Sequence, residues 1–359
     1  MTRTRLVVLF GGRSAEHEVS CTTAVAVLRA TDPSRYDVVP VGITANGRWV
    51  HAEAAGRLLA AGKPSALPPT LEAAGREADV FAVLGHGHDG PVVVFPLLHG
   101  PFGEDGTVQG LCELVDVPYV GSGVLGSAAC MDKDVTKRLL ASSGLPVARW
   151  VVLRDAERPA ADAVADRVGD ELGWPVFVKP AALGSSVGVA KVEGPAGLAP
   201  ALDDAFSYGE WVVVEEAITG REIECGVLGD HPPEASVPGE VRPSRDFYDY
   251  DDKYIDGAAE LLVPAPLPPQ VGEAVRSMAV AAFRAVRAEA MARVDFFWEE
   301  GGRGLVVNEV NTIPGFTPIS MFPRMWERSG VSYPELVDHL VALALERHAR
   351  RRGRVGRCR

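Results

Sequence analysis

MARVDFFWEEGGRGLVVNEVNTIPGF, residues 291–316, is the stretch on which the reading of the fold turns. Two apolar runs, residues 291–299 and 304–311, are joined by a glycine-rich turn, so the stretch reads as a pair of adjacent strands. Side chains alternate across a strand, which puts Arg293 and Asp295 on one face of the first run and Glu309 and Asn311 on one face of the second. Asp295, Glu309 and Asn311 are then three hard oxygen ligands that converge. Such a set suits Mg2+, which keeps waters and takes its remaining ligands from substrate phosphates. A solvated pair of edge carboxylates is the plainer alternative. Two neighbours weigh against it: Arg293 sets a fixed cation beside the proposed metal, and residues 311–315 (NTIPG) form a tight turn whose backbone amides can stabilise an oxyanion.

Outward from this pair, lysine is scarce. There are six, Lys63, Lys133, Lys137, Lys179, Lys191 and Lys253, against thirty arginines, so lysine is kept where a compact point charge is wanted. Lys133 begins a helix after Met131-Asp132, Lys179 ends a strand beside Pro180, and Lys253 lies in a long loop, three places where phosphate can be met. That loop, residues 241–267, is rich in Tyr, Asp and Pro, lacks either period, and reads as a lid.

The first third alternates strand and helix: strands at 6–10, 38–43, 80–84 and 92–98, helices at 16–30 and 104–115, and hence a parallel sheet with helices on its faces. A helix at 131–143 is ended by Gly144. From Trp150 short strands at 151–153, 175–179, 187–192, 211–216 and 223–228 suggest an antiparallel α+β module; a helix at 270–287, the strand pair and a helix from Pro334 complete the fold. The expected units are an N-terminal α/β domain (1–130), a small central α+β domain (131–218), a C-terminal α+β domain (219–346) and a loose basic tail (347–359).

Composition sets limits. The 359 residues exceed a single ordinary domain, and 47% hydrophobic with 23% charged residues describes a folded globular chain rather than a disordered one. A net charge of −12 argues against a coat for nucleic acid or an anionic membrane, so any anionic ligand needs a local cationic pocket. The apolar run at 6–10 is too brief for a leader, and nothing approaches the ~18 apolar residues of a spanning helix, so a cytoplasmic protein is expected. Five widely spaced cysteines without a C-x-x-C pair fit reduced thiols.

Two motifs mislead. Residues 85–90 (GHGHDG) match the dinucleotide fingerprint but lead into another strand, where the pyrophosphate needs a helix N-terminus. Residues 184–188 (GSSVG) match a serine-nucleophile elbow but also lead into a strand-like run. They read better as a loop that covers phosphate, since small residues let backbone N–H groups approach anionic oxygens.

Taken in order, Phe10-Gly11-Gly12 with residues 14–20 (SAEHEVS), His99-Gly100 with 103–106 (GEDG), Met131-Asp132-Lys133, Lys179-Pro180 with 184–188, Phe247-Tyr248-Asp249-Tyr250 with Lys253-Tyr254, and residues 308–312 (NEVNT) with 314–317 (PGFT) resemble the D-alanine:D-alanine ligases of the ATP-grasp superfamily, from about residue 5 to about 345. The resemblance implies an ATP-grasp fold and an ATP-dependent ligase that uses Mg2+ or Mn2+, two ions being expected. ATP phosphorylates the carboxylate of one D-alanine, and the amine of a second attacks the acyl phosphate to give the dipeptide of peptidoglycan. It implies that Glu16 holds the first ammonium, with Ser185 and Tyr254 bonded nearby; that Arg293 and the Gly315 amide stabilise the oxyanion; that Ser320 helps bind the second substrate and His99 lines the site. Lys133, Lys179 and Lys253 would meet phosphates. Glu215, Glu216, Ile218 and Glu222 would receive adenine and ribose, with Phe247 on the base and Asn308 beside the nucleotide, and Asp295, Glu309 and Asn311 would hold metal. A homodimer is the family-like expectation, with no nucleic-acid or membrane partner.

The resemblance leaves rivals: ligases that join D-alanine to D-serine or D-lactate, or an ATP-grasp ligase of antibiotic biosynthesis or self-resistance. Tyr254 argues against the lactate form, whose members lack a tyrosine there. Residues 20–98 are only loosely patterned, residues 181–183 (AAL) carry no charge, and Pro318 stands where a small polar residue is expected, which bears on how tightly the second substrate is held.

Overall fold

A computed structural model describes residues 3–85, 90–243 and 259–354. Its first strand, β1 (Thr4–Gly11), is apolar from Leu6 to Phe10 and those side chains are fully buried, as a strand covered on both faces requires. It pairs in parallel with β2 (Tyr36–Ile43) and β5 (Val92–Pro96). Two short strands, β3 (Trp49–His51) and β4 (Arg76–Glu77), then extend the sheet in antiparallel fashion, giving the order β4-β3-β2-β1-β5. The sheet expected to be parallel is therefore mixed.

Residues 80–84, expected as a strand, form instead the single turn α3 (Val80–Val83), which follows α1 (His17–Ala30) and α2 (Glu53–Ala60). The Asp79 carboxylate accepts from the Ala82 N–H at 2.8 Å, and this cap decides a five-residue apolar run that has no period of its own. Next come α4 (Thr107–Leu114), α5 (Val124–Met131), which is not among the expected helices, and α6 (Lys133–Ser142). Asp132 caps α6, and Gly144, at φ 78°, follows its end.

The central module is antiparallel as expected: β6 (Trp150–Arg154), β7 (Val176–Pro180), β8 (Ala190–Val192) and β9 (Trp211–Glu216) lie in the order β6-β9-β7-β8, but the fifth strand expected in it, 223–228, pairs in the third sheet instead. Helices α7 (Ala161–Glu171) and α8 (Leu198–Ser207) share its apolar core. The strand expected at 187–192 shrinks to β8, because Ser185, Ser186 and Gly188 all adopt positive φ and turn the chain before it can pair.

The third sheet comprises β10 (Arg221–Leu228), β11 (Glu234–Ala235), β12 (Gly239–Arg242), β13 (Glu260–Leu262), β14 (Met291–Glu299) and β15 (Gly304–Asn311), in the order β13-β12-β10-β14-β15 with β11 on β10. Cys225 and Val227 pack in the core with α9 (Pro269–Ala285), while a Cβ on Gly226 would meet Phe322 and Trp326 of α10 (Met321–Arg328). The strand's alternation thus places one helix on each face. The segment read as a structureless loop, 241–267, begins in β12 and ends beyond β13, which pair with each other; residues 244–258 lie outside the described residues.

The last helix, α11 (Tyr333–Arg352), opens with a Ser332/Glu335 capping box and runs through the start of the segment expected to be loose. Arg347 is buried, donates to the Gly121 and Tyr119 carbonyls, and stacks over the Tyr119 ring at 4.4 Å. Residues 347–352 are therefore part of the fold. Among the described residues no helix is long and apolar enough to cross a membrane, and Cys21, Cys112, Cys130 and Cys225 are free thiols.

Candidate active site

A cleft of about 1050 Å³ lies between the second and third sheets. Of the residues singled out from sequence, Lys133, Lys179, Ser185, Glu215, Glu216, Ile218, Glu222, Arg293, Asp295, Asn308 and Glu309 line it. Register explains how the acidic wall is built. Glu224 stands opposite Asp295 across β10 and β14, and Asp295 opposite Glu309 across β14 and β15, so three carboxylates form a row. Like charges side by side on a sheet repel, and Arg293 answers them. Its Nε and Nη2 donate to the two Asp295 oxygens at 2.7 Å each, and Nε lies 3.2 Å from Glu224. Burial works against the guanidinium's charge, yet Asp295, Glu224 and Glu309 hold its pKa well above the ordinary value.

A bulge follows. Asp295 pairs with Glu309 and the next residue, Phe296, with Val307, which leaves Asn308 as the extra residue. Asn308 and Glu309 consequently both reach the cleft wall, where strict alternation would turn one of them away. Asn311, on the neighbouring row, donates through Nδ2 to Asp295 at 2.9 Å and more loosely to Glu309 at 3.4 Å. As a donor set for a metal, two adjacent carboxylates and an amide oxygen brought in by rotating Asn311 fit a hard divalent cation that keeps several waters.

On the opposite wall, Glu215 has Lys179 2.8 Å from one oxygen and, from behind the wall, Lys137 2.6 Å from the other. Burial alone would raise this carboxyl; the two ammoniums overcome it and bring the pKa down to about 2. Glu216 accepts from the Arg149 backbone and side chain, 2.8 Å each, and from Arg303 at 2.6 Å, which ties β9 to the β14–β15 turn. Both glutamates expected to face adenine thus have their carboxylates engaged by cations, and their neighbours Ala217 and Ile218 complete that part of the wall. Lys133 Nζ donates to the Leu183 carbonyl at 2.5 Å; burial lowers its pKa, and Glu309 opposes the shift.

A narrow chamber beside the cleft is lined by Glu104, Lys133, Gly184, Asn311 and Thr312 among others. Glu16 precedes α1 and is buried; a Cβ on Gly184 would stand 3.3 Å from its Oε2, so the bare glycine is what lets the loop approach that carboxylate. His99 lies within the field of Glu16 and Arg293. Burial lowers its pKa, so the ring is neutral, and one nitrogen is engaged with the Ile313 backbone while Nε2 has no partner among the described residues. Glu104 accepts from the Gly100 N–H at 2.7 Å and the Ile313 N–H at 3.3 Å. Burial, aided by Glu16, pushes its pKa up to about 8. Ser320 Oγ is 2.7 Å from Thr317 Oγ1 and accepts from the Thr317 N–H at 3.1 Å, folding the 315–320 turn onto itself; a Cβ on Gly315 would stand 3.1 Å from the same oxygen. Neither Gly315 nor Ser320 lines the two cavities. Phe247, Lys253 and Tyr254 lie outside the described residues.

Family models for the N-terminus and C-terminus of D-ala D-ala ligases match residues 5–122 and 139–342. The chain belongs to the D-Ala-D-Ala ligase family. It is 52% identical to the D-alanine--D-alanine ligase of Kineococcus radiotolerans, over 96% of this chain and 97% of that one, and 47% identical to that of Geobacillus thermodenitrificans over 96% of each. The D-alanine-D-alanine ligase of Coxiella burnetii superposes with a TM-score of 0.79 at 36% identity, covering 98% of this chain and 97% of that one. VanG, a D-Ala:D-Ser ligase of Enterococcus faecalis, gives 0.79 at 32%, covering 96% and 100%. The expected three-part ATP-grasp architecture is borne out, and ATP use is a property of this family.

Three residues in or against the two cavities have no role in the expectations drawn from sequence: Glu104, Glu224 and, behind Glu215, Lys137. Glu104 sat within a quoted motif without a role. The signal for Glu224 was its place two residues after Glu222 on one strand face, and that for Lys137 was its place one helical turn after Lys133.

Proposed function

We propose that the protein is an ATP-dependent D-alanine:D-alanine ligase that supplies the D-alanyl-D-alanine of peptidoglycan in the cytoplasm. The observation that carries this reading is the row Glu224, Asp295, Glu309 crossed by Arg293, on the wall of a cleft that also holds Lys133 and Lys179 and opens beside a chamber lined by Glu104 and Gly184, behind which Glu16 and His99 are buried without lining either cavity. The relatives at 47 to 52% identity support it.

A carboxylate is a poor electrophile, so ATP first converts one D-alanine carboxylate to an acyl phosphate, and the second D-alanine's amine then displaces phosphate. Most of the work is positioning and charge stabilisation. Lys133 and Lys179, joined by Lys253, steady the nucleotide phosphates, while residues 215–218, Glu222, Asn308 and Phe247 receive base and ribose. Glu16 holds the first ammonium, with Ser185 and Tyr254 closing over it. The second amine enters beside neutral His99, whose Nε2 is an acceptor when the other nitrogen donates to Ile313. As the amine attacks, Arg293 and the Gly315 amide face the developing oxyanion. Ser320 assists the second carboxylate once its bond to Thr317 is exchanged. Asp295, Glu309 and Asn311 would hold the Mg2+ or Mn2+ ions, which neutralise phosphate charge when bound. Units near 1–130, 131–218 and 219–346 then serve as substrate domain and two halves of the nucleotide grip, and a homodimer is the assembly proposed.

A parallel assay with D-alanine alone and with D-serine or D-lactate as second substrate, scored for phosphate release and product identity, tests the reading. Dipeptide from D-alanine is the expected result. D-alanyl-D-serine as main product would place the chain with VanG, and phosphate release without any joined product would sink the ligase assignment.

A further inference from the structure

Lys137 has no place in the mechanism above, yet it is 2% exposed, an unusual position for an ammonium. It rises from α6 to Glu215 on β9, 2.6 Å away, with its Nζ 5.8 Å from the centre of the Trp150 ring. Trp150 is itself fixed, its Nε1 donating to Asp134 at 2.7 Å. The other oxygen of Glu215 lies 2.8 Å from Lys179, and of the two lysines only Lys179 lines the cleft.

We propose that Lys137 is a positioning residue for the nucleotide: by taking half of the Glu215 carboxylate, it leaves Lys179 with uncompensated positive charge directed at the phosphates. The argument is one of charge count in a dry place. Two ammoniums and one carboxylate leave one net positive charge, and of the two ammoniums the one that reaches the cleft is Lys179. Without Lys137, Glu215 neutralises Lys179 alone, and a closed ion pair attracts phosphate poorly. Glu215 also fixes where the Lys179 ammonium sits, which a flexible four-carbon stem does not do for itself. The depressed pKa of Glu215 agrees with a carboxylate that stays ionised between two cations.

The inference rests on the cleft binding a nucleoside triphosphate, so its test is equilibrium binding of a non-hydrolysable ATP analogue with Mg2+, beside steady-state dipeptide synthesis. Lys137→Met should weaken analogue binding about tenfold or more, the scale of a charge-assisted contact, and raise KM for ATP with a smaller change in kcat. Lys137→Arg should stay near wild type. The decisive variant is Lys137→Met with Glu215→Gln, which restores the single positive charge and keeps a carbonyl acceptor at 215. With the cost of losing any base contact at 215 read from Glu215→Gln alone and subtracted, binding should recover most of the loss relative to Lys137→Met, whereas a purely structural role for Lys137 predicts no recovery. Thermal melts identify variants that fail to fold, and the double variant, which leaves no orphaned buried charge, keeps the comparison available. Unchanged binding in Lys137→Met, or no recovery in the double variant, overturns the proposal. Failure of wild type to bind the analogue overturns it as well. Should wild type bind the analogue but make no dipeptide, the functional reading falls while the binding series still decides this one.

Discussion

Arg293 answers three carboxylates with one planar group, and that geometry predicts what lysine does in its place. A guanidinium makes two parallel bonds to Asp295 and still reaches Glu224; an ammonium is a single point. Arg293→Lys should lower kcat about 10²- to 10³-fold, the usual cost of one preorganised oxyanion donor, with a melt that confirms the fold. A kcat within threefold of wild type would show that Arg293 serves only the acidic row. Glu215 makes a second prediction at this scale. Its folded pKa, about 2, lies below the ordinary carboxyl value of 4.5. Its ionised form therefore stabilises the fold above about pH 4.5, and this contribution disappears as pH falls towards 2. The stability gap between wild type and Glu215→Gln, from urea melts, should be widest near neutral pH and narrow between pH 4.5 and 2. A gap constant across that window contradicts the assignment.

The glycine loop between β7 and β8 shows how an element is set by backbone rather than by pattern. Gly188 adopts φ 68°, and a Cβ there would stand 2.7 Å from the Tyr208 ring and 2.9 Å from Pro180. The exposed Tyr208 can yield; Pro180, held in β7, cannot easily do so. Gly188→Ala should cost about 1–2 kcal/mol from the left-handed conformation alone and should displace Ser185, raising KM for ATP. An unchanged KM would mean that the loop's shape does not depend on this turn. The same loop marks a limit of sequence reading. Its small residues fit a loop that covers phosphate, as proposed, but the positive φ of Ser185 and Ser186, which cuts short the strand expected at 187–192, is written in no periodicity. The carboxylate pair was legible because alternation on β14 and β15 is a local rule, and the whole row was not, since Glu224 joins it only through the pairing of β10 with β14. The bulge that turns Asn308 and Glu309 to one side depends likewise on the partner strand. Residues 80–84 turn as a helix rather than the expected strand because a cap from Asp79 outweighs five apolar residues.

At the scale of the whole molecule, the C-terminal helix closes the structure. The run of arginines from Arg347 to Arg352 reads from composition as a solvated end, since nothing in the order of residues shows which carbonyls and carboxylates wait for them. In the fold, Arg347 bonds the Tyr119 and Gly121 carbonyls, Arg351 joins Glu113 on α4 to Glu289 before β14, and Arg350 reaches Asp230. These pairs fasten the N-terminal domain to the third sheet, and thereby fix the loop of His99 and Glu104 relative to the loop of Ile313 that both contact. A buried acceptor left without its donor costs about 1–3 kcal/mol, and Arg347 serves two backbone carbonyls. Arg347→Met should therefore lower stability by that order, while Arg352→Ala, which removes an exposed pair with Asp116, should change it by less than about 1 kcal/mol. A chain ending at residue 346 should lose more than Arg347→Met and should bind D-alanine poorly, because the chamber's two loops are then free to part. The measurement is the melting temperature of each form beside KM for D-alanine and for ATP. If the shortened chain melts with the full one and keeps both constants, residues 347–352 are the dispensable tail that composition suggests, and the helix plays no part in holding the site.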